Sequence, residues 1–177
     1  MSAVSIYPVA GLPEIVNGAS LPDLIADGLA RLGLSFAAGD VVVITQKVVS
    51  KAEGRVVSLD LVHPSVRATE IGQRVGFDPR HVEVILSESV RIVREAQRVL
   101  ITETRQGFIC ANSGVDRSNT GGKELVVLLP EHPDESARRL RAGLQALSDV
   151  AVGVVISDSF DRPWREGQVT SPSARPA

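Results

Sequence analysis

Two short apolar runs that end in polar residues constrain the fold of this chain more than any other feature. The first covers residues 41–44 and follows a Gly39-Asp40 turn signal, and the second covers residues 150–156. Both have the length of a buried strand. Helical patterns lie between them, which predicts one α/β unit (mixed α+β) without an internal repeat or a linker. Because ligands in such folds commonly bind at the carboxyl ends of strands, the polar residues after both runs are candidate binding residues.

The rest of the sequence alternates between helical and strand patterns. Apolar spacing and capping residues predict helices that begin at Ser20, Pro64, Asp78 and Asp134 and that end near Gly33, Val75, Leu86 and Leu147. Strands are predicted at residues 4–9, 90–104 (with a turn near Glu95), 107–112 and 124–129. Polar loops are predicted to follow strands at residues 45–51, 113–122 and 157–162.

The composition excludes several classes of protein. The 177 residues include 19 basic and 21 acidic ones, so no global field draws the chain to nucleic acid or to an anionic membrane. Its one cysteine, Cys110, excludes an internal disulfide and is most simply a buried strand residue in a reducing compartment. No apolar run approaches the roughly 18 residues of a membrane span, and residues 1–4 lack the basic start of a signal peptide. We expect a cytoplasmic protein without a nucleic-acid or membrane partner.

The three predicted loops contain side chains that suit a divalent cation bound to phosphate: Lys51, Asp116, Asn119, Asp158 and Ser159. Magnesium takes oxygen ligands, typically one or two carboxylates with phosphate oxygens and water. A lysine contributes a point charge to phosphate, and the backbone N–H groups of glycine-rich loops contribute directed donors. The alternative for Asp116 is a turn aspartate that bonds its own backbone.

The common nucleotide and hydrolase motifs are absent. Residues 121–124 resemble the end of a P-loop, but Arg117 stands where that motif needs glycine and Glu124 where it needs serine or threonine. No G-x-G-x-x-G follows a strand and no G-x-S-x-G occurs. Dinucleotide binding and triad hydrolysis therefore have no support, and any phosphate is bound by another arrangement.

Four blocks carry a resemblance to a known family: PVAGLP at residues 8–13, VITQKVVSKAEG at 43–54, GVDRSN at 114–119 and ISDSFDRPWR at 156–165. In this order they resemble the coenzyme F420-0:L-glutamate ligase family, most of all its actinobacterial members. The resemblance covers residues 6–168 and implies an F420:gamma-glutamyl ligase-like fold.

The resemblance implies an enzyme that adds L-glutamate to coenzyme F420-0 through γ-linked amide bonds. Such an enzyme consumes GTP, uses Mg²⁺ or Mn²⁺ with K⁺, and forms a homodimer. Carried over by position, the residues that would contact the nucleotide are Leu12, Pro13, Glu14, Ile15, Gln46, Lys47, Lys51 and Asn119. The residues that would bind metal are Asp116, Asp158 and Ser159. No catalytic residue is assigned.

The chain departs from the family pattern at its end. Ser157 and Ser159 replace threonines, and Asp161 replaces a glycine. Family members continue past this motif with a strand like Asp-x-Ala-Ile-Gly, whereas residues 169–177 show no strand pattern. One permitted set of codons for residues 169–174, read two bases later, spells Asp-Val-Ala-Ile-Gly. We therefore expect an N-terminal ligase portion at residues 1–168 and a non-homologous, frameshifted tail at 169–177. The alternative function is a truncated, catalytically inactive nucleotide- and metal-binding remnant.

Overall fold

The computed structural model describes residues 3–117, 124–159 and 170–172, with Ser159 and the last three described by their backbone alone. Its helices are α1 Leu21–Arg31, α2 Gln46–Ala52, α3 Val66–Val75, α4 Pro79–Ser87 and α5 Pro133–Ser148. Its strands are β1 Val41–Thr45, β2 Val56–Ser58, β3 Ser89–Ala96, β4 Val99–Thr104, β5 Ile109–Ala111, β6 Leu125–Val127, β7 Gly153–Ser159 and β8 Thr170–Pro172. They form sheets of order β1-β7-β8, β2-β6 and β3-β4-β5, which confirms the mixed α/β class.

The first sheet joins the two apolar runs as parallel neighbours. Ile44 of β1 lies opposite Ile156 of β7, and both side chains face a core shared with α1, α2 and α5. Successive side chains point to opposite faces of a strand, so Val41 and Val43 remain 59% and 66% exposed on the other face. This core consists of Ile15, Leu21, Ile25, Ile44, Val49, Ala137, Leu140, Leu144, Val152, Val154 and Ile156.

A second core lies between helices α3 and α4 on one side and two sheets, β2-β6 and β3-β4-β5, on the other. Helix α4 begins at the predicted Asp78, whose carboxylate accepts a hydrogen bond from Arg80 N–H. Helix α3 was predicted to begin at Pro64, but its cap is Ser65, whose hydroxyl accepts a hydrogen bond from Ala68 N–H. Gly76 ends α3 in the left-handed conformation. The buried residues are Leu59, Ala68, Ile71, Val75, Val82, Val84, Ile85, Leu100, Val115, Val126 and Leu128.

Two predictions about local structure are wrong. Residues 4–9 form no strand, and Val4 and Ile6 are 89% and 87% exposed. A strand needs a neighbouring strand for its hydrogen bonds, and the alternation of apolar and polar residues does not provide one. Residues 45–51 were expected as a loop, but Gln46 begins helix α2 directly after β1. Gln46 and Ser50 are both buried, and the Ser50 hydroxyl donates to the Gln46 amide oxygen at 3.0 Å. The polar residues that indicated a loop thus satisfy each other inside the protein.

The end of the chain also differs from its prediction. The polar cluster expected after the second apolar run is not a loop at its start, because β7 continues through Asp158 to Ser159. There it pairs antiparallel with residues 170–172, in a tail where no strand was expected. Most of the predicted tail, residues 169 and 173–177, lies outside the described residues, and its origin in a shifted reading frame stays a prediction. Within the described ranges, no helix is both long and apolar enough to cross a bilayer.

Candidate functional site

Helix α2 presents two lysines one turn apart, and each meets a carboxylate from a different part of the chain. Lys47 Nζ lies 2.6 Å from Asp116 Oδ2, and Lys51 Nζ lies 2.5 Å from Glu14 Oε1. Residues at i and i+4 share a helix face, so both contacts lie on the same side of α2. The lysine side chains are only 22% and 12% exposed. This face of α2 therefore joins the N-terminal loop to the segment that carries Asp116.

The N-terminal loop lies along the carboxyl-terminal end of α2. Gly18 N–H donates to the Ala52 carbonyl at 2.8 Å, which fixes the loop beside the helix. Leu12 is half-buried, Pro13 and Glu14 are exposed, and the Ile15 side chain packs in the first core. The structure thus brings Glu14, one of the predicted nucleotide contacts, to Lys51, while the Ile15 side chain is turned into the core.

A left-handed turn leads into Asp116. Asn112, Ser113 and Gly114 have φ angles of 54°, 53° and 69°. After them the Asp116 backbone pairs with Val127 in both directions, with N···O distances of 2.9 and 2.8 Å. This bridge holds the Asp116 backbone, and its side chain, 35% exposed, reaches Lys47. Asn119, three residues further on, lies outside the described residues.

Asp158 lies at the same end of the first sheet as the start of α2. Thr45, the residue before α2, is opposite Ser157 in the β1–β7 register, so Asp158 is one residue beyond that level. Burial raises the pKa of the Cys110 thiol to about 11, and the Asp158 carboxylate contributes a smaller rise. Asp158 therefore lies within electrostatic reach of β5, the strand that leads into the Asp116 turn. Cys110 itself is 6% exposed, as predicted for a buried strand residue.

Asp116 and Asp158 are the candidate ligands for a cation that also binds phosphate. Among residues 3–117 and 124–159, no three histidine, cysteine or acidic side chains gather into a complete metal-binding group. Two carboxylates bound to one cation would leave coordination positions for phosphate oxygens and water, as Mg²⁺ requires. The ammonium of Lys47 lies at the Asp116 carboxylate, so a cation bound to that carboxylate would meet this positive charge. Ser159, the third predicted ligand, has no described side chain.

Sequence reasoning missed the hydroxyl groups beneath the Asp116 turn. Ser113 Oγ lies 2.7 Å from both Ser89 Oγ and Thr102 Oγ1, and Ser113 is 2% exposed. The consecutive turn-forming residues Asn112, Ser113 and Gly114 were the available signal, but they indicated only a loop.

Comparison with known proteins gives one consistent family. A profile described as F420-0:Gamma-glutamyl ligase matches residues 11–175. The "Coenzyme F420:L-glutamate ligase" of Methanothermobacter thermautotrophicus is 41% identical over 166 residues, which cover 94% of this chain and 66% of the relative. The proteins of the same name from Methanopyrus kandleri and Halobacterium salinarum are 46% and 44% identical, covering 96% and 92% of this chain and 65% and 62% of theirs. The chain spans just under two thirds of the length of these relatives.

Proposed function

Because this chain belongs to the F420-0:gamma-glutamyl ligase family, we propose that it takes part in the GTP-dependent addition of L-glutamate to coenzyme F420-0. The observation that carries the proposal is the face of α2, where Lys47 and Lys51 lie between Asp116 and the loop of Glu14. This arrangement offers positive charge to phosphates beside carboxylates that suit a divalent cation. Since the reaction consumes GTP, the proposed compartment is the cytoplasm.

The proposed reaction has two steps. The γ-phosphoryl group of GTP passes to the acceptor carboxylate of F420-0, which yields GDP and an acyl phosphate. The amine of L-glutamate then attacks the acyl carbon, the amide bond forms, and inorganic phosphate leaves as the amine loses a proton. Catalysis of such a transfer depends mainly on positioning and on neutralising phosphate charge.

The described residues have distinct parts in this scheme. When nucleotide and metal bind, Lys47 and Lys51 would leave their carboxylate partners and contact the phosphates as point charges. Asp116 and Asp158 would hold Mg²⁺ or Mn²⁺, which supplies charge neutralisation on the transferring phosphoryl group. The loop of Leu12, Pro13, Glu14 and Ile15, with Gln46 and Asn119, would contact the nucleotide. K⁺ and the homodimer belong to the same proposal without an assigned residue.

The test uses the full chain with F420-0, L-glutamate, GTP, Mn²⁺ and K⁺. We expect a product heavier by one glutamyl residue in mass spectrometry, formed in equal amount with GDP, and no product when GTP is omitted. Light scattering after size-exclusion chromatography checks the dimer. Binding of GDP and Mn²⁺ without glutamate transfer would support the alternative, an inactive nucleotide- and metal-binding remnant. A chain that binds neither overturns both.

Replacing Lys47 with methionine should separate metal binding from nucleotide binding. The Lys47 ammonium pairs with the Asp116 carboxylate, to which the cation would bind. Because Lys47→Met removes this competing positive charge, it should raise the Mn²⁺ affinity of the nucleotide-free protein. We expect an increase of about two- to fivefold, because a partly exposed ion pair is worth about 1 kcal/mol or less. GDP affinity should fall at the same time. Titration calorimetry with Mn²⁺ alone, and then with GDP, measures both.

Lys51→Met is the matched control for this prediction. Its ammonium meets Glu14 rather than Asp116, so it should lower GDP affinity and leave the binding of Mn²⁺ alone unchanged. Weaker Mn²⁺ binding by Lys47→Met in the absence of nucleotide would show that Lys47 supports the metal site rather than competing with the metal.

A further inference from the structure

The turn before Asp116 adopts a conformation that its own sequence does not favour. Asn112 and Ser113 both have positive φ; asparagine tolerates this left-handed region, but for serine the Cβ atom makes it unfavourable. Such strained residues persist where the surroundings fix them, and they cluster at binding sites. Ser113 therefore needs an external cause for its conformation.

Buried hydroxyl groups supply that cause. Ser113 N–H donates to Thr102 Oγ1 at 2.9 Å, and the two hydroxyl oxygens are 2.7 Å apart. Ser113 Oγ also lies 2.7 Å from Ser89 Oγ. Thr102 is fully buried at 0% exposed, on the central strand of the β3-β4-β5 sheet. Because a buried polar group without a partner is unfavourable, these bonds hold Ser113 where it is.

The constraint on Ser113 extends to Asp116 through Val115, which is buried and hydrogen-bonded. The Val115 side chain is buried in the second core, and its N–H donates to the Asn112 carbonyl at 2.9 Å. Asp116 then pairs with Val127. The hydroxyl pair on one side and the strand bridge on the other thus fix the Asp116 backbone, from which the carboxylate extends.

We propose that Thr102 and Ser113 are positioning residues for the metal-binding carboxylate of Asp116. The inference rests on the proposed function, because it takes Asp116 to be a metal ligand. Partners behind a metal ligand commonly control its orientation, and their loss typically lowers metal affinity by about 10- to 100-fold. A purely structural role would instead lower the stability of the fold without weakening metal binding by the folded protein.

The test compares three substitutions on β4. Thr102→Val keeps the shape but removes the hydroxyl, and Thr102→Ser keeps the hydroxyl. Thr104→Val is the matched control, since Thr104 is 1% exposed on the same strand and its hydroxyl accepts instead from Phe108 N–H at 3.2 Å. Electron paramagnetic resonance measures free Mn²⁺ in titrations with GDP present, at a temperature where urea denaturation shows every variant folded.

We expect Thr102→Val to weaken Mn²⁺ binding about tenfold, and Thr102→Ser to stay within about twofold of the original protein. Thr104→Val should destabilise the fold without changing Mn²⁺ affinity. If Thr102→Val does not fold, Ser113→Gly provides a second test, because glycine accepts a φ of 53° and the substitution removes the hydroxyl together with its Cβ. Its Mn²⁺ affinity should also fall.

The outcomes separate this inference from the proposed function. If the unsubstituted protein binds Mn²⁺ and Thr102→Val or Ser113→Gly binds it equally well, the positioning role is wrong while the metal site stands. If Thr102→Val and Thr104→Val weaken Mn²⁺ binding equally, the positioning role is also wrong, because the effect then comes from a general loss of packing in the sheet. If the unsubstituted protein binds no Mn²⁺, the proposed metal site fails and this inference fails with it.

Discussion

Asp116→Asn is expected to lower Mn²⁺ affinity by about 100-fold or more and to remove any glutamate transfer. Asparagine keeps the size of the side chain and one oxygen atom but loses the negative charge that a hard divalent cation requires. The substitution also leaves the Lys47 ammonium without its carboxylate partner 2.6 Å away, which adds positive charge where the cation should bind. Manganese titrations of the folded variant, with GDP present, measure the loss.

The fold should survive this substitution, so the effect can be assigned to the site. The Asp116 backbone bonds with Val127 do not involve its side chain, and the carboxylate is partly exposed. Asp27→Asn on the exposed face of α1 makes the same chemical change away from the site and should leave Mn²⁺ binding unaltered. Mn²⁺ affinity within about threefold of the original for Asp116→Asn would remove Asp116 from the metal site and leave Asp158 as the candidate.

Regular amphipathic patterns made most of the fold predictable from the sequence. Helix α3 shows why: Ala68, Ile71 and Val75 recur at helical spacing between a serine cap and a glycine end, and all three are buried. The two apolar runs were predictable as buried strands from their length and flanking turns, whereas their parallel pairing was not predicted. In these segments local propensity and burial favour the same structure, which is the condition under which sequence patterns are reliable.

The wrong predictions fall in segments whose secondary structure depends on tertiary contacts. The Gln46 and Ser50 side chains bond each other inside the core, and no local pattern distinguishes that arrangement from a polar loop. Conversely, the alternation of residues 4–9 has no neighbouring strand to complete it in the described part of the chain.

The candidate residues of the site could be named from the sequence, but their contacts with one another could not. Asp116 and Asp158 became candidates because each follows a predicted strand and because carboxylates bind divalent cations. The contact of Lys47 with Asp116 joins residues 69 positions apart in sequence, and it depends on how α2 and the turn at residues 112–114 pack. The spacing of residues along the chain does not show which side chains from distant segments come into contact.

Gly114→Ala is expected to lower the free energy of unfolding by about 2 to 5 kcal/mol. Gly114 has a φ of 69°, and an L-residue in the left-handed region costs about 1 to 2 kcal/mol. In addition, its Cβ would lie 2.8 to 2.9 Å from Cγ, Cδ1 and Cδ2 of Leu129. Forcing extra atoms into a packed core costs about 1 to 3 kcal/mol. Urea denaturation followed by circular dichroism measures the sum.

Leu129 has little room to move away from the added methyl group. It is 3% exposed, and its carbonyl accepts a hydrogen bond from Arg55 Nε at 3.0 Å. The same guanidinium pairs with Glu88 at 2.6 Å. Backbone displacement would therefore disturb a half-buried ion pair as well as the core.

Two further variants separate the backbone and steric contributions. Gly107 has a φ of 86° and open space around its Cβ position, so Gly107→Ala should cost only the backbone part, about 1 to 2 kcal/mol. In the double variant Gly114→Ala/Leu129→Ala the clash disappears, so its destabilisation should be smaller than the sum of the two single effects. Equal losses for Gly114→Ala and Gly107→Ala would show that the Leu129 side chain yields. The turn before Asp116 would then require glycine for its backbone conformation alone, rather than for its close packing on β6 and the residues that follow it.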